Sequence, residues 1–416
     1  MHLFTALLLL APAAAQPPTW GFNYDRTSTG PTASGGADVT LKELFDDLGA
    51  PAALAKLSTD FSAMAAQYNG TAVRLFVNLP DIIPTPLASP NATFLALLAS
   101  AVDAAAAAGL SVDLTGSTFE RQDVAAAWRE ASDKDMLASR AAFWGAAAAA
   151  LKGRPGVRNF NLINEPFVPW GDFTKDVVTG CIPLVRPNNA TSTFCYLHPV
   201  FRFATAAWTR AMHARFPTPA LLRAHWPDFP RPGETWGALA IPHQGNASDA
   251  RRPDFLTFAG EETGAWCAAL AGAIRSQDPV RLVSVGVQFG SYPDTLTSGA
   301  CSSVLDFFSV HLYPRGDLAT PQALEAYFTD TLNLLPPDLG RNVTWEEFYP
   351  LAEAPSIPMS ALPSIQAAAA ARARKPLRVQ SFFSFYWGTA ESLDMGPISS
   401  AIYTEWLGIW AAGRPF

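Results

Sequence analysis

The chain has 416 residues, 49% of them hydrophobic, enough to bury a large core, and its 29 basic against 36 acidic residues leave a net charge of −7. That balance excludes nucleic acid as the expected partner, because phosphate binding needs clustered positive charge. Four cysteines without a CxxC motif, six scattered histidines and the absence of HExxH offer no metal cluster, and no cofactor is expected.

The chain opens on an apolar run, Leu3 to Ala15, closed by small residues before Gln16. Its length and end suit a secretory signal peptide over residues 1–15, leaving 16–416 as one domain. Five Asn-x-Ser/Thr triplets, at Asn69, Asn91, Asn189, Asn246 and Asn342, agree with export. In an exported chain four cysteines read as two disulfides, and sequence proximity favours Cys181 with Cys195 and Cys267 with Cys301. No later stretch has the length and apolarity of a membrane span or anchor, so a secreted, extracellular monomer is expected.

In chain order, short β-type runs alternate with alanine-rich helical segments: Thr19–Asn23, Ala72–Val77, Ser111–Thr115, Arg158–Ile163, Arg281–Val287, Phe307–His311, Asn342–Glu346 and Arg378–Ser384. Eight such units predict an α/β fold of the closed (β/α)8, or TIM-barrel, type. A doubly wound nucleotide-binding sheet would show a Gly-rich first turn, and no GxGxxG follows the first strand. About 117 residues separate the fourth and fifth strands, so a long insertion is expected there, over the active face, with Phe255 to Ile274 as the barrel helix that follows it.

Two carboxylates stand at equivalent strand ends: Glu165 in Asn164-Glu165-Pro166 after the fourth strand, and Glu347 in Glu346-Glu347-Phe348 at the seventh. Cleaving a glycosidic bond with retention needs such a pair, about 5–5.5 Å apart, one to protonate the leaving oxygen and one to attack the anomeric carbon. Strand periodicity lets only one of Glu346 and Glu347 face the barrel axis. Arg74, inside the apolar second strand, needs a buried anion, and a strand-end glutamate supplies one.

These triplets resemble the acid/base and nucleophile motifs of clan A glycoside hydrolases, especially glycoside hydrolase family 5. Gly21-Phe22-Asn23, Val73-Arg74-Leu75, His311-Leu312-Tyr313 and Trp387 resemble that family's further site motifs in the same order. The resemblance implies Glu165 as acid/base and, standing before an aromatic, Glu347 as nucleophile, which leaves Glu346 outward or at the strand end. It further implies Arg74 and Tyr313 holding the nucleophile, Asn164 donating to the sugar 2-hydroxyl, His311 touching sugar hydroxyls or the acid, and Trp387 stacking on the sugar. Tyr349 stands where the family usually has glycine. Trp170, Trp226 and Trp236 fall in predicted active-side loops, where indole faces can stack on pyranose rings.

The implied partner is a carbohydrate, with β-mannan or β-glucan the first expectation. Hydrolysis and transglycosylation share the covalent intermediate and both stay open, as does a barrel that binds glycans without cleaving them. A serine esterase would need a GxSxG elbow, which the chain lacks.

Overall fold

The computed structural model describes residues 19–24, 41–117, 119–121, 128, 131–166, 181–185, 191–196, 205–242, 248–288, 299–312, 318, 320–333, 342–347, 357–373, 378–384 and, near the end, 405, 407–409 and 411–412. Twelve strands are named in chain order: β1 Thr19–Tyr24, β2 Ala72–Val77, β3 Ser111–Gly116, β4 Phe119–Arg121, β5 Val157–Asn161, β6 Cys181–Val185, β7 Thr191–Tyr196, β8 Leu282–Ser284, β9 Gly286–Gln288, β10 Phe308–His311, β11 Asn342–Glu347 and β12 Arg378–Ser384.

Nine of them form one parallel sheet in the order β8-β5-β3-β2-β1-β12-β11-β10-β9. Its two end strands are successive pieces of one segment, divided only at Val285. On one side Leu162 N donates to Ser284 O at 2.8 Å and Gly286 N to Ile163 O at 3.1 Å. On the other, Ser309 N donates to Val285 O at 3.0 Å, and Gly286 to Gln288 pair with Ser309 to His311. The first and last strands of the ladder are therefore the same chain, and eight strands close into a barrel. All eight expected strands are present, within one or two residues of their expected ends, with the fifth interrupted at Val285.

Closure follows from the sequence pattern. Strands such as Ala72–Val77, buried at every position, can exist only with side chains filled on both faces, by the barrel interior and by helices. Helices Ala50–Tyr68, Ala92–Ala107, Asp133–Leu151, Arg252–Gln277, Pro321–Leu332 and Leu362–Arg372 supply the outer layer. Small residues let them lie close. Asn91, Ser132, Thr218 and Thr320 cap helix starts through side-chain oxygens that accept a backbone N–H.

The excursion between the fourth and fifth barrel strands holds β6, β7 and the helices Thr205–Arg215 and Pro219–His225. β7 pairs antiparallel with β6 and with β4, which leaves the barrel beyond β3. This small sheet was not expected. Beyond it, buried Arg251 reaches Glu234 and Asp228 and lies 4.7 Å over the Trp226 ring, while Arg231 grips Asp249 through both terminal nitrogens at 2.7 and 2.8 Å. Trp226 is itself fully buried and stacked on Trp208, so it belongs to the core and corrects the reading of it as an exposed sugar platform. Trp236 is half-buried and stacks on His213 with ring centroids 3.9 Å apart.

The expected bridge Cys267–Cys301 is present and joins helix Arg252–Gln277 to the short helix Gly299–Ser302. For the other expected pair, the backbone register sets Cys181 opposite Cys195 across β6 and β7. No helix among the described residues is long and apolar enough to cross a membrane.

Candidate active site

The site grows out of the barrel's inner face. On β2, Arg74 and Phe76 share that face by the two-residue period, with the guanidinium 4.5 Å over the Phe76 ring. Arg74 is wholly buried, and its guanidinium makes four hydrogen bonds and an ion pair. Nε donates to Thr115 Oγ1 at 2.8 Å, Nη1 to Asn23 Oδ1 at 2.9 Å and to Glu347 Oε1, and Nη2 to Asn164 Oδ1 at 2.8 Å, while Nη2 is also ion-paired with Glu346 Oε2 at 3.1 Å. Burial alone would lower the guanidinium pKa, but the charges of Glu346 and Glu347 reverse this and raise it.

Because Arg74 can only donate, the Asn164 oxygen must face it, which turns the amide nitrogen toward the open side. Asn164 and Glu165 follow β5 on a bend whose backbone is fixed by Asn164 N donating to Gly116 O at 2.7 Å. Gly116 is required here, because a Cβ on it would come within 2.9 Å of the Leu162 carbonyl. Glu165 itself has φ of 42°, a left-handed conformation that costs a non-glycine residue on the order of 1–3 kcal/mol. The bend swings its carboxylate to the barrel mouth, where the side chain keeps 20% of its surface exposed.

On β11 the sequence expectation needs correction. Glu346 and Glu347 both face the interior and are 0% and 2% exposed, so Glu346 is not outward. The reason is a β-bulge. Val310 pairs with Trp345, but the next residue, His311, pairs with Glu347, so Glu346 is the extra residue. Its freed carbonyl accepts from Asn23 Nδ2 at 2.9 Å, and its carboxylate accepts from Asn161 Nδ2 at 2.9 and 2.7 Å. Burial pushes the Glu346 carboxyl up, but Arg74, His311 and Asn161 together hold it well below the usual carboxylate range.

His311, at the end of β10, links the carboxylates. Nδ1 lies 2.7 Å from Glu165 Oε1 and 3.3 Å from Glu347 Oε2, and Nε2 lies 3.2 Å from Glu346 Oε2. Burial lowers the imidazole pKa, yet the Glu347 charge and the hydrogen bonds to Glu165 and Glu346 outweigh it and lift the value to about 9. Asp113, one strand from Arg74, is raised instead, first by burial and then by the Glu346 charge, against the opposing pull of Arg74 and Arg158.

One oxygen each of Glu165 and Glu347 and a nitrogen of His311 lie within 4.8 Å of one another. His311 Nδ1 stands between the two carboxylates, 2.7 Å from Glu165 and 3.3 Å from Glu347. Arg74, Asn164, Glu165, His311 and Glu347 are thus brought together. Tyr313, Trp387 and Trp170 lie outside the described residues.

Sequence reasoning missed Glu346 as an interior group, and with it Asn161, Thr115 and Asp113. The last three carried a signal: polar residues at alternate positions of otherwise apolar strands, Asp113 and Thr115 on β3 and Asn159 and Asn161 on β5, mark an inner face lined with hydrogen-bonding groups. Nothing in the sequence marks the bulge.

No protein-family model matches the chain, and no curated protein matches it. Solved structures do. A glycoside hydrolase family 5, subfamily 18 enzyme from Streptomyces cattleya in complex with GlcNAc is 15% identical with a TM-score of 0.52, covering 97% of this chain and 82% of that one. A variant of that enzyme in complex with Manβ1-4GlcNAc is 16% identical with a TM-score of 0.51, over 89% and 71%. The β-galactosidase of Rahnella sp. R3 is 13% identical with a TM-score of 0.59, over 94% of this chain but only 57% of that longer one. The likeness is one of fold, and it agrees with the resemblance carried by the motifs: the chain is built as a (β/α)8 barrel like those of family 5 and other clan A glycoside hydrolases.

Proposed function

We propose that this protein is a retaining glycoside hydrolase of β-linked oligo- or polysaccharides, with β-mannosides or β-glucans as substrate, Glu165 as acid/base and Glu347 as nucleophile. The observation that carries the reading is the approach of the Glu165 and Glu347 carboxylates to within 4.8 Å. Double displacement needs about 5–5.5 Å, whereas an inverting pair stands about 6.5–9.5 Å apart to admit a water.

The two environments suit different tasks. Glu347, almost wholly buried against Arg74, is a desolvated carboxylate with a fixed oxygen to offer an anomeric carbon. Glu165, one-fifth exposed at the barrel mouth, can reach a leaving oxygen in the cleft. In the first step a Glu347 oxygen bonds to the anomeric carbon as the glycosidic C–O bond breaks, and Glu165 passes a proton to the leaving oxygen. In the second, Glu165 takes a proton from water, whose oxygen displaces Glu347. Asn164, anchored by Arg74, donates to the 2-hydroxyl, a bond that strengthens as oxocarbenium character develops.

For substrate class, the motifs favour family 5, and a Streptomyces cattleya relative of this fold is bound to a β-mannoside disaccharide. Work outside the cell suits the Cys267–Cys301 bridge and the exposed sequon asparagine Asn69.

The test is a panel of β-mannans, β-glucans, β-galactosides and aryl β-glycosides, with the anomer of the first product followed by NMR. Initial release of the β-anomer on any member supports double displacement, and initial release of the α-anomer refutes it. Tight glycan binding with no turnover across the panel refutes the enzyme reading in favour of a binding barrel.

A further inference from the structure

Glu346 stands in the site without a role in double displacement, which needs only two carboxylates. A third buried carboxylate beside them is costly, and its surroundings indicate what it does. The Asn161 amide donates to it, Arg74 forms an ion pair with it, and its side chain is fully buried. It stays ionised and can only accept. Its carboxylate also lies 3.2 Å from His311 Nε2.

In an imidazole, the hydrogen bond made by one nitrogen decides which form the other takes. An obligate acceptor at Nε2 keeps the proton there, so Nδ1 is the nitrogen that gains and loses one. Nδ1 faces Glu165 at 2.7 Å and Glu347 at 3.3 Å. We propose that Glu346 is a positioning residue that fixes the His311 tautomer, so that Nδ1 carries the proton Glu165 hands to the leaving oxygen. Its catalytic consequence rests on the glycosidase reading above. The state of His311 does not.

The step balances. The leaving oxygen takes the proton from Glu165, Nδ1–H passes its proton to Glu165, and the imidazole becomes neutral with Nε2–H still donating to Glu346. Glu347 simultaneously loses its charge by forming the glycosyl ester, so the positive imidazolium is discharged as the negative nucleophile is consumed. Return of the proton from the attacking water through Glu165 restores the imidazolium when Glu347 is released.

Among the described residues, the groups facing His311 are Glu165 on the bend after β5 and Glu346 and Glu347 on β11. Arg74 on β2 faces the latter two, and Asp113 and Arg158 act on Glu346 from β3 and β5. Three carboxylates against the imidazole agree with its raised pKa of about 9. On the fifth barrel strand, Gly286 makes the contact possible: a Cβ there would stand 3.1 Å from His311 Nε2 and 3.2 Å from Glu346 Oε2.

The experiment is 15N NMR of the histidine-labelled full chain through a pH titration, wild type against Glu346→Gln, with kcat/KM measured over the same range. Wild-type His311 should remain imidazolium past pH 8 and deprotonate to the Nε2–H tautomer. In Glu346→Gln its pKa should fall by at least one unit, and the basic limb of kcat/KM should fall with it. A uniform loss of activity with an unmoved limb and an unmoved imidazole would reduce Glu346 to packing. A wild-type imidazole neutral at pH 7, or one deprotonating to the Nδ1–H tautomer, overturns the proposal without any variant. If no substrate is turned over, the function fails, but the imidazole titration still decides this inference.

Discussion

Arg74→Lys is the sharpest test of how the site is held. The substitution keeps one positive charge among Glu346, Glu347 and Asp113, so a purely coulombic role would survive it. Geometry would not. Arginine presents N–H donors in a planar fork, and here they serve five partners: hydrogen bonds to Thr115, Asn23, Glu347 and Asn164, and an ion pair with Glu346. Lysine has three donors on one atom, so at least two of these buried acceptors lose their partner. An unmade buried hydrogen bond costs about 1–3 kcal/mol, and two of them about 2–6 kcal/mol of folding stability. Asn164 and Asn23 are the acceptors a lysine would relinquish, since the carboxylates compete better for its charge. Once Asn164 is freed, its amide no longer points reliably toward a substrate hydroxyl, so kcat/KM should drop by more than about 10²-fold. Urea unfolding gives the first quantity and steady-state kinetics on the best panel substrate the second. A stability change under about 1 kcal/mol with near-normal activity would refute the geometric argument and leave Arg74 as a simple counter-charge.

Other outcomes follow from the same contacts. Glu347→Ala should abolish turnover, and azide should restore it on a β-glycoside with an activated leaving group, yielding the α-glycosyl azide; a β-azide, or unimpaired turnover without azide, would move the nucleophile elsewhere. Glu165→Ala should slow substrates with poor leaving groups far more than aryl glycosides that need no proton, and equal losses on both count against an acid role. Removing the Cys267–Cys301 bridge with a double alanine variant frees a loop of sequence separation 34, which loop-closure entropy equates to about 3.8 kcal/mol, read as a lower urea midpoint. His311 has a raised folded-state pKa of about 9 against 6.5, so its contribution is complete below pH 6.5 and is lost as pH rises through 9, a decline of roughly 3 kcal/mol in unfolding free energy; a flat profile over that window argues for a neutral imidazole.

The barrel was legible in the sequence because its strands are short apolar runs that must be covered on both faces, and only a closed parallel sheet wrapped in helices covers all eight. β2 and β12 fall where the residues alone set them. The small sheet of β4, β6 and β7 was not legible: β4 is three residues long and β6 carries Pro183, so neither shows the alternation that marks a strand. Trp226 was misread for a related reason. It lies in a polar stretch ending His225-Trp226-Pro227-Asp228, which looks like a loop tip, but Arg251 lies over its ring and Trp208 stacks on it. Of the site, the motif residues Arg74, Asn164, Glu165, His311 and Glu347 were legible since each is a polar group at a strand end or within an apolar run. Glu346 was not, because the period-two rule that assigns one of two adjacent residues to the interior holds only for an unbulged ladder. The slip between Val310 and His311 depends on contacts across the barrel, with Asn23 taking the carbonyl the bulge releases.

The bulge also bears on why the site would act rather than merely bind. A glycan-binding groove gains little from burying two adjacent glutamates, since each desolvated carboxylate costs several kcal/mol before it is paired. Here the pairing is complete: Arg74 serves both, Asn161 serves Glu346, and His311 spans all three acids. The result is a row of fixed dipoles and charges that need not reorganise when charge develops on a bound sugar, which is the condition under which electrostatic stabilisation is largest. Only Glu165 departs from this rigidity, held at the rim in a strained backbone conformation with part of its side chain open. Strain at that one residue, beside glutamates held by Arg74, Asn161 and His311, is expected where a group must meet a leaving atom rather than a permanent partner.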